Sequence, residues 1–134
     1  MEKWRMAMMA GQWVVTLGYL FRANRVAPQL PEKMATHFGF NGEPDGWGSK
    51  RMFLWVTTVI VIVNSVISTV LLAALRQLGW MAGAVELIAT LTLVAVCWQA
   101  MDFNVSGKRL KAGTIIWPVV AILGLTFYQL SRLH

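Results

Sequence analysis

VTTVIVIVNSVISTVLLAAL, residues 56–75, contains no charged residue, while Lys50 and Arg51 precede it and Arg76 follows it. Its many β-branched residues would suit a buried strand if the run were short, but strands seldom exceed about eight residues. In hydrocarbon a lone strand leaves its backbone N–H and C=O groups unpaired, whereas a helix satisfies them internally. About 20 apolar residues also match the length of a helix crossing a bilayer core of about 30 Å. The stretch therefore predicts a membrane helix over residues 52–75.

Three further apolar runs flank it. The first, residues 4–21, is interrupted only by Gln12 and Thr16 as polar residues, besides Arg5 at its start. About 18 residues rise roughly 27 Å, enough to cross when flanking cations snorkel. Its end at Arg22, without a small-residue cleavage site, reads as a retained span rather than a signal peptide. The third run, residues 78–101, places Gly79 and Gly83 in GxxxG spacing and Trp80 and Trp98 near its ends, where aromatic belts sit. The fourth, residues 112–130, contains Pro118 and Gly124, tolerable where neighbouring helices satisfy freed backbone groups. Short connections between the last three spans favour antiparallel neighbours, with helix packing mediated partly by small residues such as Gly11, Gly18, Gly79, Gly83 and Gly124. The expected fold is all-α: a single-domain integral membrane four-helix bundle with a turn-rich polar loop, residues 26–50, between helices 1 and 2.

Composition agrees. Of the 134 residues 57% are hydrophobic and 13% charged, with mean hydropathy +0.56, whereas soluble domains carry roughly 25% charged residues. The net charge of +6 would suggest nucleic acid in a soluble chain. Here the cations cluster at the ends of apolar runs, where they anchor helices, and no nucleic-acid module accompanies them. Cys97 is the single cysteine, which excludes an intramolecular disulfide, a redox pair and a thiolate zinc site.

The loop VAPQLPEKMATHFGFNGEPDGWGSK, residues 26–50, differs from everything around it. Pro28, Pro31 and Pro44 fix φ and remove donors, and Asn41-Gly42 and Asp45-Gly46 are turn dipeptides. A defined, turn-rich structure follows. The ordered string Leu30-Pro31, His37-Phe38 and Asn41-Gly42-Glu43-Pro44-Asp45-Gly46-Trp47-Gly48-Ser49-Lys50 resembles the signature loop of the bacterial SdpI-like family, immunity proteins against a sporulation-delaying toxin. The resemblance extends over about residues 5–75 and involves that family's N-terminal domain of unknown function. It implies a multi-pass protein of the bacterial cytoplasmic membrane, engaged in immunity or signalling through recognition of a peptide toxin or a partner. Immunity proteins of this type look longer, with further spans after this domain. The alternative is a non-catalytic accessory subunit packed against a larger membrane complex.

Candidate site residues lie in two places. In the loop, Glu32, His37, Asn41, Glu43, Asp45 and Lys50, with Phe38 and Trp47 as amphipathic anchors to the membrane surface, form a partner-binding set; one histidine and no thiol make a poor metal site. Within the spans, Glu86 and Asn64 are the polar residues that stand out. A carboxylate in hydrocarbon marks either a proton or ion path or an interhelical hydrogen bond, and it should face the bundle. No nucleophile elbow, HExxH, P-loop or catalytic acid pair occurs, so no enzyme activity and no cofactor are expected. Orientation receives two opposite readings. Arg22, Arg25, Lys33, Lys50, Arg51, Lys108, Arg109 and Lys111 lie on the loop side, against Lys3, Arg5, Arg76 and Arg132 opposite, which puts the loop in the cytoplasm. The resemblance implies that it faces outward.

Overall fold

The computed structural model describes residues 2–75, 77, 79–108, 111 and 113–132. Arg76, Arg109 and His134, and the expected span ends Leu78 and Ala112, lie outside the described residues. Four helices carry the chain: α1 (Lys3–Val26), α2 (Lys50–Ala74), α3 (Trp80–Ser106) and α4 (Gly113–Ser131). A short 3-10 turn, Ala27–Gln29, follows α1, and two strands, β1 (Lys33–Phe38) and β2 (Pro44–Ser49), pair antiparallel before α2. The fold is thus not strictly all-α. The turn-rich loop is a β-hairpin: Asn41-Gly42 lies in the turn and Pro44 opens β2, while Asp45-Gly46, expected as a turn, lies inside β2, paired across the ladder.

The helices run up and down. Gly83, near the start of α3, meets Trp4 and Met8 of α1, and Arg22 near the end of α1 bonds Asp102 near the end of α3. Hence α1 and α3 are parallel. α2 runs against them, since Arg5 Nη1 donates to the carbonyls of Leu72 and Leu75 at 2.7 and 3.0 Å, while the Tyr19 hydroxyl donates to Thr57 at 2.6 Å. α4 folds back along α3, with Pro118 inside the helix and beside Leu91 and Ala95. The small-residue expectation holds at one place above all: a Cβ on Gly83 would lie 3.0 Å from Trp4 Cζ3 and 3.2 Å from Met8 Cγ, whereas Gly18, Gly79 and Gly124 have open space. At Gly83 the missing side chain lets α1 and α3 approach.

Two of the helices, α2 and α3, are long and apolar enough to cross a membrane among the described residues. The expectation of four such spans is met in number of helices but not in their character. α1 has 24 residues, about 36 Å of rise, but polar side chains dilute it. In α4 the apolar stretch Ile116–Tyr128 is shorter.

Those polar residues face inward. The buried side chains of α1 are Arg5, Gln12, Thr16, Tyr19 and Ala23, a single face, while Val14, Leu17 and Phe21 point outward. In α2, Ser65 and Ser68 are buried and Val59, Ile60, Val63, Val66, Ile67 and Val70 are exposed. Phe53, Val61 and Leu72 of α2 are buried beside them, so the interior is mixed, and an apolar exterior on this scale marks a surface for lipid or a protein partner.

Candidate functional site

The loop string becomes a set of structural parts. Gly39 N–H donates to the Glu43 carbonyl and Gly42 N–H to the Gly39 carbonyl, both at 2.9 Å, closing the hairpin turn. Asn41 Oδ1 accepts from Glu43 N–H at 3.1 Å, an Asx turn, and Gly42 has φ 77°, the left-handed conformation that glycine adopts without a Cβ clash. Ser49 caps α2 by accepting from Met52 N–H at 3.1 Å. Lys50 ties the helix start back to the strand entry: its Nζ pairs with Glu32 at 3.2 Å and donates to the Leu30 carbonyl at 3.4 Å.

Across the ladder Gly46 faces His37, and a Cβ on Gly46 would fall 2.8 Å from His37 Cβ. The glycine lets the two strands close over this irregular stretch of register. His37 Nδ1 lies 2.5 Å from Asp45 Oδ1, with both side chains more than half exposed. Among the described residues no third His, Cys, Asp or Glu joins them in a metal-ligating group.

The hairpin rests on the end of α3. Asn104 accepts from Ala35 N–H at 2.8 Å and donates to the Ala35 carbonyl at 2.9 Å, and Phe38 meets Phe103 edge-on with ring centroids 5.2 Å apart. Met34 and Ala35 are fully buried and Leu30 nearly so. Docking on the helices therefore rests on Leu30, Met34, Ala35 and Phe38. Trp47 stands 56% exposed, and Phe40 at the turn is fully exposed. The hairpin is held at its β1 edge and leaves Phe40, Trp47, His37 and Asp45 exposed.

Inside the helices the polar side chains form a seam. Ser68 Oγ donates to Glu86 Oε2 at 2.7 Å, so Glu86 faces α2. Asn64 Nδ2 donates to Thr90 Oγ1 at 2.7 Å, and Thr90 also bonds Gln12. Thr16 and Ser65 share a hydrogen bond of 2.5 Å, and Trp13 Nε1 donates to Thr69 at 3.0 Å. Glu86 and Asn64 are not directly paired; Thr90, one turn beyond Glu86 and bonded to its carbonyl, stands between them. Gln12, Thr16, Ser65, Ser68 and Thr90 gain a role that their individual types did not suggest. The signal for it was spacing: Gln12, Thr16 and Ser65, Ser68 recur at three or four residues, which puts each pair on one helix face.

Apolar exterior, polar seam and two membrane-length helices define a membrane-associated helical protein carrying one ordered hairpin. Within it, residues 14–62, from the middle of α1 through the hairpin into α2, match a domain of unknown function, DUF1648. The chain matches no curated protein and no solved structure.

Proposed function

We propose that this chain is a multi-pass protein of the bacterial cytoplasmic membrane, SdpI-like, whose hairpin recognises a peptide toxin or a signalling partner at the membrane surface. The observation that carries the reading is the held hairpin: its β1 edge is tied to α3 by Asn104 and its Phe38 ring rests on Phe103, while Phe40, Trp47 and the His37–Asp45 pair stay exposed. Exposed aromatic side chains on a rigid support make good recognition elements because little entropy is lost when they are covered. The DUF1648 domain spans this same region and is often found in SdpI-like membrane proteins.

The accessory-subunit reading is favoured by α4, none of whose described side chains is buried, and whose Trp117, Leu123 and Phe127 all point outward. Purification of the tagged chain from its native membrane in mild detergent tests both. A fixed-stoichiometry complex that survives Phe40→Ser and Trp47→Ser but is lost on replacing Trp117 and Phe127 supports the accessory role. Protection of cells against a membrane-active peptide, lost in the hairpin variants, supports recognition; wild-type protection in those variants overturns it.

A further inference from the structure

Where α1 ends beside α3, a groove of about 410 Å³ is lined by Gly18, Phe21, Arg22, Arg25, Gln29 and Trp98. Its volume falls within the range of small-molecule sites, roughly 300–1,000 Å³. Its lining is divided. Gly18, Phe21 and the Trp98 ring form an apolar wall, and a Cβ at Gly18 would meet nothing, so the groove is open there. Arg22, Arg25 and Gln29 supply donors at the end nearer the helix terminus.

The donors exceed the acceptors. Arg22 Nη2 bonds Asp102 at 2.7 Å and its guanidinium lies 5.1 Å from the Trp98 ring centroid, but Arg22 Nε is buried with no hydrogen-bond partner among the described residues. Arg25 lies 5.7 Å from the Phe21 ring centroid and pairs with no carboxylate among the described residues. Buried N–H groups are ordinarily satisfied, and an unmet one marks a place for an acceptor. Arg22 and Arg25 are three residues apart, so their side chains share a helix face. Asp102 neutralises one guanidinium and leaves the other as the net positive charge of the groove.

We propose that this groove binds an anionic phospholipid, its phosphate held between Arg22 and Arg25 and an acyl chain lying past Gly18 against Phe21 and Trp98. An anion at the polar end meets the unmatched charge of Arg25, and Arg22 completes a charge-assisted contact. The apolar wall accounts for a lipid rather than a free ion, because a soluble phosphate has nothing to place there. The site is separate from the exposed residues of the hairpin and stands whether or not they recognise a peptide.

The test is native mass spectrometry of the full chain in neutral detergent, titrated with phosphatidylglycerol, phosphatidylcholine or inorganic phosphate. Phosphatidylglycerol should bind in preference to phosphatidylcholine, and inorganic phosphate in excess should not displace it. Arg25→Gln removes no ion pair of the described fold and should weaken phosphatidylglycerol binding by about fivefold, the effect of one interfacial cation. Gly18→Leu should weaken both lipids by filling the groove, and Lys3→Gln, at the other end of α1, should change neither. Equal binding of the two lipids, or wild-type affinity in Arg25→Gln, overturns the proposal. Displacement by inorganic phosphate at matched concentration would assign the groove to a soluble anion and also overturn it.

Discussion

The side-chain amide of Asn104 brackets the main chain of Ala35, accepting from its N–H at 2.8 Å and donating to its carbonyl at 2.9 Å. An amide so placed imitates a neighbouring strand, so one residue of α3 extends the ladder of a two-stranded hairpin that is marginal by itself. Asn104→Ala should leave both Ala35 groups buried and unsatisfied, at about 1–3 kcal/mol each. Hydrogen exchange across residues 33–38 and 44–49 should accelerate while the helices stay protected. Unchanged exchange in both strands would show that Asn104 does not hold the hairpin.

Gly46→Ala should disturb the same hairpin from within. The added methyl would meet His37 Cβ at 2.8 Å, whereas at Gly48 the nearest atom, Thr36 Cγ2, is 3.3 Å away. Overpacking of this kind costs about 1–3 kcal/mol, so Gly46→Ala should speed exchange of the hairpin amides more than Gly48→Ala does. An equal or reversed order would contradict the strand pairing described here.

Glu86 accepts a hydrogen bond from Ser68, which is fully buried. Glu86→Gln retains an acceptor and should melt within about 0.5 kcal/mol of the wild type in detergent. Glu86→Leu deprives Ser68 of its interhelical partner and should cost about 1–3 kcal/mol. If the Gln variant is stable yet inactive in any assay that the wild type supports, the carboxylate carries a proton; if the Leu variant melts with the wild type, the interhelical contact is not a stabilising one.

Truncating the exposed aromatic residues of the hairpin should separate recognition from folding. Phe40 and Trp47 are exposed and cover nothing in the core, so Phe40→Ser and Trp47→Ser should shift stability by no more than about 0.5 kcal/mol. A large loss of thermal stability in detergent would place these rings in the packing, not on a recognition surface.

The sequence alone determined where the apolar runs of the helices lie, because a long run without charge constrains its own backbone: residues 52–75 reappear as α2 with its ends moved by at most two residues, whereas α1 and α3 run on to Val26 and Ser106, five residues past the expected ends at 21 and 101. It also determined the hairpin turn, since Asn41-Gly42 and the Asx bond from Asn41 to Glu43 depend on neighbours in the chain, whereas Asp45-Gly46, the other expected turn, lies within β2 opposite His37. The strands were hidden because both are short and PDGWGS is rich in the strand-averse Pro, Asp and Gly; their support comes from Asn104 and Phe103, far along the chain. Tertiary structure likewise decided which face of α1 is buried. Arg5, Gln12 and Thr16 read as interruptions of a span, but with partners on α2 and α3 they become the contact itself, because outside water a polar group is stable where another polar group meets it.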